Sequence, residues 1–121
     1  MFKTISKLVN AFGPSGCEKQ VAEVIANMIK DRVDEIRSDA MGNLIAVKRG
    51  SGKKIMLAAH MDEIGLIVTT IDEKGFLRFG TVGGVSPLIS LGQRVVFENG
   101  LTGVVWYEES IENMKDAKPD K

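Results

Sequence analysis

Lys54-Ile55-Met56-Leu57-Ala58-Ala59, followed by His60-Met61-Asp62-Glu63-Ile64-Gly65, decides how the sequence is read. From Ile55 to Ala59 the residues are apolar without polar alternation, which predicts a central strand covered on both faces by helices or a second layer. The chain's one histidine, His60, closes that run. Ligands of open α/β sheets gather at the carboxyl ends of strands, so His60 stands where chemistry is expected. If the chain stays extended, His60 and Asp62 project to one side and Glu63 to the other. That spacing suits a metal-bound imidazole whose other ring nitrogen, or whose metal-bound water, is held by a carboxylate. It equally suits an ordinary polar histidine with one hydrogen bond, and the triplet alone leaves both readings open.

Upstream, Ile5, Leu8, Val9 and Phe12 recur at helical spacing and stop at Gly13-Pro14, a helix-ending pair. Ser15 followed by Glu18 has capping-box spacing and predicts a second helix starting there. Its apolar stripe is Val21, Val24, Ile25, Met28 and Ile29. Two strands, 33–37 and 44–48, are predicted around a turn at Asp39 to Asn43, and a Gly50-Ser51-Gly52 loop precedes the central run.

Downstream of His60 the glycines multiply and the strands alternate: 66–71, 76–81, 93–98 and 101–107, the last two joined by an Asn99-Gly100 hairpin turn. Their even spacing predicts antiparallel strands curling into a small barrel that stops after about four strands with an unpaired edge. Residues 108–121 are polar and charged without a period and are expected to be mobile unless something holds them.

The 121 residues suit one compact core rather than two ordinary domains with a cleft between them. Sixteen basic and sixteen acidic residues balance to a formal charge of zero, which argues against nucleic acid and against an anionic membrane surface. The single cysteine, Cys17, the absence of a leader pattern after Met1 and the lack of a long apolar stretch predict a cytoplasmic protein without a membrane span.

Ligand number limits the metal reading. A catalytic zinc takes about three protein ligands and a two-metal site more. Only one histidine is present, and Asp72, Glu73, Glu98, Glu108 and Glu109 read as turn or surface residues. The missing ligands are expected beyond Lys121 or on another chain. Nothing in the sequence pairs Cys17 with His60 as in a cysteine hydrolase. Gly13-Pro14-Ser15-Gly16 and Gly80-Thr81-Val82-Gly83-Gly84 lack the lysine and setting of a phosphate loop and read as turns. Trp106 and Tyr107 face opposite sides of their strand and read as packing residues rather than a base-stacking platform.

Taken in order, five motifs carry a resemblance: Gly13-Pro14-Ser15-Gly16-Cys17-Glu18, Asp39-Ala40-Met41-Gly42-Asn43-Leu44, Ala59 to Gly65, Gly83-Gly84-Val85-Ser86-Pro87, and Leu91-Gly92-Gln93-Arg94-Val95. Together they resemble the opening of the glutamyl and deblocking aminopeptidases, the tetrahedral aminopeptidase family, in which some relatives are labelled endoglucanase M. The resemblance implies the start of a metallopeptidase α/β sheet with two N-terminal helices in residues 1–67. An incomplete inserted β-barrel domain serving oligomerisation, with its polar tail, would follow in residues 68–121. It also implies two divalent metal ions, zinc or cobalt, in the complete enzyme, none held stably by this chain. Peptides are the implied substrate and a homo-oligomer the implied assembly.

Matched residue by residue, His60 resembles the first histidine ligand of one metal, and Asp62 the catalytic aspartate that supports that ligand and the reacting water. The family's other ligands and its general base would fall after Lys121. The chain covers roughly the first third of the family's usual length, so it reads as a fragment that is inactive by itself. Two rival functions are carried forward. An endoglucanase-type hydrolase needs two carboxylates across an aromatic-lined cleft, and five Phe, one Trp and one Tyr offer little for one. A non-catalytic oligomerisation module would use the exposed strand edges of the β half.

Overall fold

The structure is a computed structural model that describes residues 1–107; the expected mobile tail and the candidate residues Glu108 and Glu109 lie outside the described residues. The chain divides into two compact units, residues 1–84 and a second beginning at Val85. In the first unit α1 (Phe2–Val9) and α2 (Lys19–Ile29) precede β1 (Glu35–Ser38), β2 (Leu44–Val47), β3 (Gly65–Ile71) and β4 (Leu77–Val82). The second unit holds the one-turn α3 (Pro87–Ser90), β5 (Arg94–Val96) and β6 (Thr102–Val104).

The stripe predicted on the second helix faces inward. Val21 is buried, and Val24, Ile25, Met28 and Ile29 are half-buried. α1 and α2 pack on each other, joined by the Gly13-Pro14 turn. Among the described residues of the second unit, Val105 is the buried apolar one.

Each pair of strands is an antiparallel hairpin whose turn is closed by a short polar side chain. In β1–β2, Glu35 pairs with Val47 and Ser38 with Leu44. Asp39 closes that turn: its Oδ1 accepts the N–H groups of Met41 at 2.9 Å and Asn43 at 3.0 Å, while Gly42 takes the positive φ the turn requires. The same device recurs between β3 and β4, where Asp72 Oδ1 accepts the N–H groups of Lys74 at 2.9 Å and Phe76 at 2.8 Å. Asn99 does this for β5–β6 by accepting Leu101 N–H at 3.0 Å. Asp and Asn recur at these corners because their oxygens reach backbone N–H groups two residues on.

Three expectations require correction. Residues 54–59 form no strand: among the described residues no segment pairs with them, and Ile55, Met56 and Leu57 are 85%, 86% and 94% exposed. An apolar run becomes a central strand only with neighbours to complete its hydrogen bonds and cover its faces. The capping box does not form either. α2 begins after Glu18, and no side chain caps it. Glu18 instead accepts the Gly16 N–H at 2.7 Å, while Ser15 bonds elsewhere. Finally, the described strands make three separate two-stranded sheets, and no barrel closes among them. Helices and strands still combine as the α/β class requires.

Candidate metal-ligand site

His60 and Asp62 meet. The His60 ring nitrogen Nδ1 lies 2.9 Å from Asp62 Oδ1 and 3.1 Å from the Asp62 carbonyl oxygen. Both neighbours are acceptors, so in the neutral ring Nδ1 carries the proton and donates it. The lone pair is left on Nε2. The His60 side chain is 85% exposed, whereas that of Asp62 is 35% exposed.

Residues from the first helix–helix turn hold this pair in place. Glu63 donates its N–H to the Gly13 carbonyl at 2.9 Å, and Ser15 donates its N–H to the Glu63 carbonyl at 3.3 Å. These bonds make an isolated parallel bridge between Pro14 and Glu63. Glycine is needed in both segments beside the bridge, against α2 at residue 13 and across the bridge at residue 65. A Cβ on Gly13 would come within 2.9 Å of Val21 Cγ1, and one on Gly65 within 2.9 Å of Pro14 Cβ. Glu63 itself is exposed.

Through this bridge Ser15 Oγ donates a hydrogen bond to Asp62 Oδ2. Each carboxylate oxygen thus has one side-chain partner: Oδ2 takes Ser15 and Oδ1 takes His60. The Ser15 hydroxyl, and after it the His60 ring, hold the Asp62 carboxyl below the usual carboxylate range; partial desolvation opposes them. Sequence reasoning placed Ser15 in a helix cap and missed it here. Of the other residues weighed, Cys17 is an exposed free thiol. Asp72 is engaged in its turn and reaches toward Arg78 at 3.8 Å.

The donor chemistry fits one position of a divalent cation: an exposed imidazole with a free Nε2, its other nitrogen held by a carboxylate. It does not make a complete site. No cluster of three or more His, Cys, Asp or Glu side chains able to hold a metal occurs among the described residues.

The chain is similar to several known proteins. Residues 42–120 match the family model described as M42 glutamyl aminopeptidase. A protein of Acetivibrio thermocellus, provisionally named an aminopeptidase, is 56% identical over 121 residues, all of this chain and 37% of that protein. The TET1 peptidase of Pyrococcus horikoshii, which assembles into a tetrahedron or a large octahedral shell, superposes with a TM-score of 0.80 at 35% identity. That likeness covers 99% of this chain and 37% of the other. A Thermotoga maritima structure named endoglucanase superposes with a TM-score of 0.78 at 43% identity, over 84% of this chain and 33% of that one. The chain therefore spans about a third of the length of the proteins it matches.

Proposed function

Because the chain belongs to the M42 glutamyl aminopeptidase family, we propose that it supplies His60 as a metal ligand, and Asp62 as its supporting carboxylate, to a metal-dependent aminopeptidase that removes N-terminal residues from peptides. The observation that carries this reading is the 2.9 Å contact from His60 Nδ1 to Asp62 Oδ1. It leaves Nε2 as the outward lone pair, with its ring oriented by the carboxylate. When bound, two divalent metals, zinc or cobalt, supply Lewis acidity at the scissile carbonyl. The work of this chain is to orient one ligand and hold the Nδ1 proton.

In this reading residues 1–67 belong to the catalytic α/β domain and residues 68–121 to an inserted domain that mediates oligomerisation. The assembly of the Pyrococcus horikoshii relative supports a homo-oligomer. The balanced charge supports neither nucleic acid nor membrane as a partner. No helix among the described residues is long and apolar enough to cross a membrane, and with the free Cys17 this fits a cytoplasmic setting.

Metal content and release of N-terminal residues from peptide nitroanilides, measured together at full family length, test the proposal. His60→Ala is expected to lower both; normal occupancy and turnover in that variant would sink it. Soluble cellulose assayed in parallel separates the endoglucanase reading suggested by the Thermotoga neighbour's name. Light scattering on the 121-residue chain tests the non-catalytic alternative, since a clean monomer at high concentration removes a module that assembles through strand edges.

A further inference from the structure

The Gly13-Pro14-Ser15-Gly16 turn is the one sequence motif beside the candidate site to which the proposed function gives no role. Its backbone fixes the height of residues 62–63 through the Pro14–Glu63 bridge, and its one hydroxyl reaches Asp62 Oδ2. That hydroxyl meets a specific need. A carboxylate rotates about its Cβ–Cγ bond, and its two oxygens are equivalent until something distinguishes them. With Oδ2 occupied by Ser15, the carboxylate plane is set and Oδ1 is presented to the His60 Nδ1 proton.

Little else holds the ring. Residues 53–62 have no regular secondary structure, and the His60 side chain is 85% exposed, so packing does not define its orientation. Among the described residues its hydrogen bonds run only to Asp62, through one carboxylate oxygen and the carbonyl. We infer that Ser15 is a positioning residue: through Asp62 it holds His60 in the Nδ1–H form and turns Nε2 outward as the lone-pair donor for a divalent cation. This inference rests on the reading of His60 as a metal ligand. It concerns the ring itself, however, and can be tested with no metal present.

The experiment exploits the single histidine. Nitrogen-15 correlation spectra of the 121-residue chain, recorded roughly two pH units above the ordinary histidine pKa of about 6.5, report the Nδ1–H to Nε2–H ratio of one ring without assignment ambiguity. The wild type is expected to favour Nδ1–H, against the preference of an unconstrained imidazole in water. In Ser15→Ala the ratio is expected to fall roughly threefold to tenfold, the range of a single side-chain hydrogen bond. It should not vanish, because the Asp62 carbonyl still accepts. Ser15→Thr, which keeps a hydroxyl at the same position, is expected to restore it. Amide signals of β3 and β4 in the same samples show whether the fold is kept. If alanine unfolds the chain, Ser15→Cys, close in shape but a weak donor, is read in its place.

A wild type without the Nδ1–H preference, or a fold-competent Ser15→Ala or Ser15→Cys that retains it in full, overturns the inference. Failure of the metal reading would look different: the tautomer would respond to Ser15 as described while His60→Ala left metal occupancy unchanged.

Discussion

Gly65 lies so close to Pro14 that a β-carbon on Gly65 would fall 2.9 Å from the Pro14 Cβ, inside any normal contact. The pair sits beside the Pro14–Glu63 bridge, so relief of the clash has to open it. Gly65→Ala is therefore expected to cost about 1–3 kcal/mol, the range for overpacking a close contact. Hydrogen exchange at the Glu63 amide, which donates to the Gly13 carbonyl, reads the effect. Unchanged protection there would mean that the turn yields elsewhere.

A second glycine is constrained by its backbone alone. Gly100 has φ +83°, and a β-carbon there would meet nothing within 4 Å. Gly100→Ala should cost about 1–2 kcal/mol through the left-handed conformation itself. The loss should localise to the β5–β6 hairpin, where Phe97 donates to the Leu101 carbonyl at 2.8 Å. Gly52, with open space and no positive φ, is the control; Gly52→Ala should change stability by no more than about 0.5 kcal/mol.

Acid should loosen the β1–β2 hairpin from both ends. The Asp39 carboxyl is held low chiefly by the Asn43 side-chain amide, and the Asp34 carboxyl chiefly by the Arg49 backbone N–H and then by Lys48. Both folded values lie below the unfolded one. Their contribution is thus fully present above about pH 3.9 and is lost as pH falls through the folded values. Amide protection at Met41, Asn43 and Arg49 is expected to fall together on acidification, and Asp39→Ala should abolish the pH response at Met41 and Asn43 only.

Asp62→Ala removes the carboxylate that orients His60 while keeping the imidazole itself. A carboxylate that supports a metal-bound histidine is typically worth roughly 10-fold to 100-fold in affinity. Zinc titration at full family length should show that loss. Affinity equal to wild type would remove Asp62 from the site.

What was legible in the sequence was local. Asp39 to Asn43 and Asn99-Gly100 announce their turns because the side chains that close them lie within four residues of the N–H groups they satisfy. The period of α2 was equally plain, since Val21 to Ile29 sets its own face. Ser15 was misread for the opposite reason. Ser15 and Glu18 have the spacing of a cap, and nothing nearby reveals that the hydroxyl has a partner 47 residues away. Gly65 was the available hint that another segment approaches closely. Residues 54–59 failed on a related point: the composition of a buried strand states what the segment needs, not whether the described chain provides it. That His60 and Asp62 share a side was legible because two residues of extended chain bring their side chains to one side; that the carboxylate takes the ring nitrogen itself was one of two arrangements the spacing allows.

The uncovered Ile55-Met56-Leu57 run also has a colloidal consequence. A bare apolar segment of β-forming residues is adhesive toward copies of itself unless like charge keeps the molecules apart. Here acidic and basic residues cancel, and the isoelectric point of about 6.6 lies close to neutrality. Electrostatic repulsion between molecules is thus weakest at the pH where the protein would ordinarily be handled. The chain should precipitate most readily near its isoelectric point, and moving the pH by a unit or two in either direction should clear the solution.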